Sequence, residues 1–293
     1  MGLRIRTNVS SLLAQRHTQN NANEMERSLE RLSSGYRINR SADDAAGLAV
    51  SESLRAKVRG INQAKRNASD AVSMVQIAEG SLNEVGNILI RMRELTVQSA
   101  SDTIGDVERG YLNREYTQLV DEIDRISATT EFNSLKLFDP NQKDRLVIQV
   151  GVNNSEPEAN VDTISLSLEG LKTFNSEALG LGKEAEIGPM AADASDAISR
   201  EEISNKLTTI DNALNRVNGE RATLGSVQSR LDTAVNNLSV QTENMSQARS
   251  RIIDVDFAEE TSTMTQAKIL QASAISVLSQ ANAKPEMALQ LLR

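Results

Sequence analysis

The chain has 293 residues, a formal charge of −8, one histidine, no cysteine and no tryptophan, and only 2% of it is aromatic. That inventory excludes disulfides, thiolate metal sites, cysteine nucleophiles and the usual histidine triads together. The scarcity of bulky side chains suits a long, narrow seam better than a broad globular core, and no run approaches the roughly 20 apolar residues of a membrane span.

Residues 3–35 read as a helix, with Met25, Leu29, Leu32 and Tyr36 at 4,3,4 spacing and Gly35 as its stop. Residues 1–40 carry seven Arg against three Glu, a local charge of +4. Because Glu24, Glu26 and Glu30 interleave with the arginines, this is a solvated helix face, and neither nucleic acid nor membrane insertion is expected. Met1 to Arg6 lacks the apolar stretch of a secretory signal, and Arg6 stands where a myristoylation motif needs Ser or Thr. If the protein works outside the cell, another export machine must carry it.

Ser41-Ala42-Asp43-Asp44 offers a capping-box-like start for a helix running to about Ala100, more than roughly 80 Å at about 1.5 Å per residue. Along it Ile61, Ala64, Ala68, Ala71, Val75, Ala78, Leu82, Val85, Leu89 and Met92 keep strict 3,4 spacing. After the polar turn Ser101 to Gly105, a shorter helix shows Leu112, Tyr116, Leu119, Ile123 and Ile126 at 4,3,4,3. The period then drops to two: Leu146, Ile148 and Val150 alternate with Val147 and Gln149, and Ile164, Leu166 and Leu168 with Ser165 and Ser167. These are strands, in hairpins. Residues 146–199 hold nine acidic side chains against Lys172 and Lys183, a local charge of −7. They read as an outward, soluble region, with a loop from Gly180 to Asp196 around Pro189.

Ser199-Arg200-Glu201-Glu202 caps a second long helix, in which every seventh residue is apolar: Ile203, Ile210, Val217, Leu224, Leu231, Leu238, Met245 and Ile252. A stripe at 3.5-residue spacing must be covered by another helix, and the two long seams are matching partners. The first half of the chain is therefore expected to fold back on the second. Gly219 and Gly225, inside this helix, cost about 1 kcal/mol each relative to alanine and mark close packing or flexing. From Ile269 to Ala283 there are fifteen residues without a charge. Val9 to Gln15 is similarly weakly charged, so both ends carry surface that pairs internally or assembles between molecules.

Catalytic and ligand-binding constellations are missing. His17 stands alone in a polar helical stretch. Asp254-Val255-Asp256 opens like a calcium loop but lacks its glycine and terminal glutamate, leaving a helix cap. Gly180-Leu181-Gly182-Lys183 continues into Glu184, so a phosphate-binding loop fails. Asp43 and Asp44, adjacent on a helix start, point apart and cap rather than pair. No catalytic residue, cofactor or metal is expected, and no enzyme. The fold class is mainly α with a small β part: an elongated antiparallel coiled-coil bundle, N- and C-terminal helices paired, hairpins in the middle.

At Leu32-Ser33-Ser34-Gly35-Tyr36-Arg37-Ile38-Asn39-Arg40-Ser41-Ala42-Asp43-Asp44-Ala45-Ala46-Gly47-Leu48-Ala49, and again at Ser250-Arg251-Ile252-Ile253-Asp254-Val255-Asp256-Phe257-Ala258-Glu259-Glu260-Thr261 with an ending in Leu291-Leu292-Arg293, the chain resembles the bacterial flagellins. The resemblance covers roughly residues 1–145 and 200–293, and the large outer domains of the family are absent. It implies an inner helical-pair domain of residues 1–42 and 254–293, and an outer coiled-coil domain of 43–253 with hairpins and an acidic loop at 135–198. It also implies a self-assembling, extracellular filament subunit that leaves the cell through the flagellar export apparatus, without a cleaved signal peptide, helped by an export chaperone at the C-terminal helix. Hook-associated junction and cap proteins would be its other partners. Subunit contacts are expected at Val9, Leu12, Leu13, Leu29 and Leu32, and at Ile269, Leu270, Ile275, Val277, Leu278, Leu289 and Leu292. The segment Arg91 to Gln98 is similar to the helix that a vertebrate Toll-like receptor contacts in some flagellins, which implies contact at Arg91 and Leu95, with Glu115 on the next helix. The alternatives are a hook–filament junction protein and a cytoplasmic coiled-coil scaffold.

Overall fold

A computed structural model of the chain describes residues 7–139, 143–153, 161–182, 187 and 200–290. The chain divides into two compact units, Met1–Val58 with Glu243–Arg293, and Arg59–Thr242. Five helices are described, α1 (Val9–Ser34), α2 (Ala45–Ser99), α3 (Asp106–Thr129), α4 (Arg200–Ile253) and α5 (Phe257–Gln290), with short strands β1 (Glu131–Phe132), β2 (Leu135–Lys136), β3 (Arg145–Gln149) and β4 (Thr163–Ser167).

The helix ends are set by local chemistry. The Asn8 side chain accepts the Ser11 N–H at 3.1 Å to open α1. Gly35 closes it in the left-handed conformation (φ 74°), its N–H on the Arg31 carbonyl at 2.9 Å. For α2 the expected start at Ser41 moves to Asp44, whose Oδ1 accepts the Gly47 N–H at 2.8 Å. Asp43 instead turns back, accepting the N–H groups of Asn39 and Arg40 at 3.2 and 3.0 Å. The bond from Arg40 holds its carboxyl below the usual carboxylate range. Asp256 caps α5 through the N–H groups of Ala258 and Glu259. Residues 199 and 189, on which a cap and a loop were expected, lie outside the described residues.

The unit Arg59–Thr242 is a helical bundle built on the two expected seams. Every seam residue of α2 from Ile61 to Met92 is at most 5% exposed, and Ile203, Ile210, Val217, Leu224 and Leu231 of α4 are at most 1%. The helices run antiparallel: Arg93 pairs with Asp211 at 2.8 Å, and Glu79 lies 4.0 Å from Arg221. Close to Gly86, Val217 stands at ordinary van der Waals distance, 4.0 Å from where a Cβ would be. α3 runs back along α2, tied by Arg91 to Glu115 at 2.8 Å and by Thr130 Oγ1 donating to Ser81 Oγ at 3.0 Å. Tyr116 and Ile123 of α3 are buried in the same core.

The strands form two antiparallel pairs, β1 with β2 and β3 with β4. Leu146 faces Leu166 and Ile148 faces Ile164, so the two-residue period laid these four side chains toward the core while Val147 is 58% exposed. The β1–β2 hairpin was not legible, because two-residue strands carry no period. Its turn residues, Asn133 and Ser134, both have positive φ, as a tight hairpin turn demands.

The described residues 174–178 and 187 of the middle region are tied to the helices. Asp124 of α3 accepts both the N–H and the hydroxyl of Ser176 at 2.7 Å. Arg216 of α4 donates to the Ala178 carbonyl and lies over the Phe174 ring. Ile187 is fully buried, donating its N–H to Asn113 and accepting from Ser99.

Two measurable consequences arise here. At Gly219 and Gly225 of α4 an added Cβ meets nothing within 4 Å, so close packing is not their role in the subunit. Gly219→Ala and Gly225→Ala are each expected to stabilise the isolated subunit by about 1 kcal/mol, through helix propensity, read as a raised urea midpoint. Burial also pushes the Tyr116 phenol above its ordinary range. The unfolded chain then loses that proton first, so this contribution is intact below about pH 10 and is lost as pH rises further. A Tyr116→Phe variant should lack that component of the alkaline fall in the urea midpoint.

Candidate assembly surface

α1 and α5 lie side by side in the unit Met1–Val58 with Glu243–Arg293. They are antiparallel. Asn8 Nδ2 donates to the Ala281 carbonyl at 2.8 Å, Ser11 Oγ to Asn282 Oδ1 at 2.8 Å, and Arg31 lies 3.5 Å from Glu260. The residues turned into this seam are buried or half-buried at strict 3,4 spacing: Ser11, Ala14, Thr18, Asn21, Met25, Ser28 and Leu32 on α1, and Glu260, Met264, Ala267, Gln271, Ala274, Leu278 and Ala281 on α5. That is a coiled-coil period filled mainly with small and polar side chains.

Most of the larger apolar side chains point away from it. Val9 is 60% exposed, Leu12 58%, Leu13 47% and Leu29 50%; on α5 Ile269 is 61%, Leu270 45%, Ile275 53% and Val277 55%. Leu32 and Leu278 are half-buried in the seam itself. The Leu289 side chain and Leu292 lie outside the described residues. Of the four residues whose spacing marked this helix, Met25 and Leu32 face α5, whereas Leu29 and Tyr36 are exposed. Hydrophobicity was a poor guide because the seam takes small and polar side chains at most of its positions. The cue was available in the 3,4 recurrence of Ser, Ala, Thr and Asn.

At one end of the pair the two signature segments meet, which sequence spacing did not reveal. Tyr36 bridges to Asp254, with the Arg37 N–H on the Ile253 carbonyl at 2.6 Å and the Val255 N–H on the Gly35 carbonyl at 3.0 Å. Arg37 also donates to the Ile252 carbonyl at 2.8 Å, and Arg249 lies over the Tyr36 ring at 5.8 Å. Arg40 grips Glu30 with two hydrogen bonds, while Ile38 and Ile253 are each 4% exposed. A side chain at position 47 would strike Asp44 and come within 2.9 Å of Ile38, so Gly47 leaves room for the Asp44 cap of α2 beside Ile38.

The other predicted contact lies in the bundle unit. Arg91 pairs with both Glu94 and Glu115, and these hydrogen bonds, Glu115 first, hold its guanidinium in the charged form. The two partners Arg91 and Glu115 are brought together with half-exposed side chains, but Leu95 is fully buried. His17 is exposed on α1, and no described helix is long and apolar enough to cross a membrane.

The family pattern of the bacterial flagellin N-terminal helical region matches residues 5–143, and that of the bacterial flagellin C-terminal helical region residues 207–292. The chain is 40% identical over 289 residues to the flagellin of Halalkalibacterium halodurans, covering 99% of each. It is 38% identical over 305 residues to the flagellin of Bacillus subtilis, covering 99% of this chain and all of that one. Among solved structures, one assigned to the flagellar hook-associated proteins of Vibrio parahaemolyticus aligns at a TM-score of 0.57 with 14% identity, over 72% of this chain and all of that one. At that identity the likeness concerns the fold alone.

Proposed function

Because this chain belongs to the bacterial flagellin family, we infer that it is a structural subunit that self-assembles into the flagellar filament, the tubular propeller of swimming bacteria. Full-length relatives that are themselves flagellins support the reading, and one observation of this molecule carries it. The α1/α5 pair spends its small and polar residues on the internal seam and leaves Val9, Leu12, Leu13, Ile269, Leu270, Ile275 and Val277 facing out. Exposed apolar side chains on both helices of one pair are the surface a repeated interface needs. At about 25 cal/mol per Å² of apolar area, many modest contacts repeated along a polymer hold it without bulky cores.

The finer assignments are part of the same proposal. Residues 1–42 and 254–293 form the inner domain of the filament, and 43–253 the outer one. The subunit reaches the outside of the cell through the flagellar export apparatus. A chaperone covers the uncharged stretch of α5 until then, since Ile269 to Val277 would otherwise offer a surface for premature association. Hook-associated junction proteins and the cap meet the filament at its ends. Arg91 and Glu115 are open to a Toll-like receptor of a vertebrate host, whereas Leu95 can act there only by holding the helix in place.

The test mixes purified subunit with short filament seeds, then pellets and images the product by electron microscopy. Long tubes with a central channel are expected. Soluble chains beside unextended seeds, under conditions where another flagellin extends them, would transfer the chain to the junction proteins.

A further inference from the structure

We propose that two polar layers of the α1/α5 seam, Arg31 with Glu260 and Asn21 level with Gln271, determine the axial register of α5 on α1; this rests on the filament reading, because the register is what composes the outward apolar surface from two helices. The contacts at the two ends of the pair fix the present alignment. Carried along the 3,4 pattern in the antiparallel sense, they set Thr18 level with Ala274, Asn21 with Gln271 and Ser28 with Met264. A seam of small side chains has little shape to distinguish one heptad from the next, so its polar positions carry the discrimination.

Glu260 is the informative residue. Its side chain is 10% exposed and sits at a seam position, with Arg31 at 3.5 Å as its partner. A buried carboxylate stabilises little when paired and is strongly unfavourable when it loses its partner. Sliding α5 by one heptad in one direction brings Glu260 level with Met25 and Asn21 level with Met264. In the other direction Asn21 comes level with Leu278. Each slip sets a half-buried amide against an apolar side chain and parts the ion pair, the second by bringing Arg31 level with Lys268. The backbone joint at Gly35 and Val255 tethers the connectors, and the polar layers carry its alignment along the helices.

The chain has no cysteine, so introduced pairs report register without background. In the full-length subunit, Thr18→Cys is combined in turn with Ala274→Cys, Ala267→Cys or Ala281→Cys and treated with a short bismaleimide. Only the first pair should cross-link efficiently in the parent. With Asn21→Leu and Glu260→Leu added, one of the other two should rise by about fivefold or more, as expected when a register-setting polar pair is removed from a coiled coil. Cross-linking confined to the first pair in both backgrounds would mean that the joint alone sets the register, and would overturn the proposal. So would equal cross-linking of all three pairs in the parent.

Seed extension supplies the second readout. Glu260→Arg and Arg31→Glu should each lose it, and the double exchange should restore it; singles that extend normally, or a double as inactive as the singles, would also overturn the proposal. A parent chain that never extends seeds would instead sink the filament reading, while the cross-linking result would still decide the register.

Discussion

Placing an aspartate at Leu12 or at Ile269 is expected to abolish extension of filament seeds while leaving the urea unfolding of the subunit unchanged. Both side chains are more than half exposed, so the monomer gives up almost no buried area when either is replaced, and surface changes of this kind stay within about 0.5 kcal/mol. In a polymer the same side chains meet a neighbour. Losing one Leu or Ile from that contact removes about 1.5–3 kcal/mol, and an unpaired carboxylate buried there adds several more. At about 1.4 kcal/mol per factor of ten, the affinity of each addition falls at least a hundredfold. Sedimentation of seeds with variant subunit reads this directly. Normal extension by both variants would remove these faces from the interface, and a lowered urea midpoint would show that they are packed within the subunit.

The opposite pattern is expected for Leu82→Ala. Leu82 is fully buried in the α2 seam, within the cluster that includes Val85, Leu89, Val217 and Leu224. Truncating a leucine in such a site removes its transfer free energy and leaves a cavity, costing about 3–5 kcal/mol. For a unit of this size each kcal/mol corresponds to about 2–4 °C, so a fall in Tm of about 10 °C is the central expectation. Helical signal and urea midpoint measure it. A shift below about 1 kcal/mol would show that α2 does not pack on α4 through this stripe, since a well-filled core does not close over a lost isobutyl group so cheaply.

The two results would separate the kinds of apolar residue in this chain, those that build the subunit and those that build the polymer. Composition does not distinguish them. Leu82 and Leu12 are chemically identical, and only one has a covered position.

Much of the bundle was legible in the sequence, for a physical reason. A 3.5-residue apolar period admits one solution, a helix stripe covered by another helix, and Ile61 to Met92 and Ile203 to Leu238 are buried as that period requires. The change to a period of two likewise located β3 and β4, and glycine at position 35 stopped α1 because only a left-handed residue can turn the chain there. Local chemistry of this sort is complete within a few residues, so the order of residues determines it.

The faces of α1 and α5 could be settled only by tertiary structure. Each helix carries apolar side chains on more than one side, so several pairings bury similar area, and hydrophobicity ranks them poorly. Small residues let the two backbones approach, which placed Ala14, Ser28 and Ala267 inside and turned Leu29 out. The joint of Tyr36 with Asp254, the hold of Asn113 on Ile187 and the burial of Leu95 belong to the same class. Each depends on segments far apart in the chain. The sequence by itself determined where the long helices and the β3–β4 pair form and which long seams pair; which surface remained open for another subunit was decided by how those helices close on one another, because exposure belongs to the packed pair and not to either helix alone.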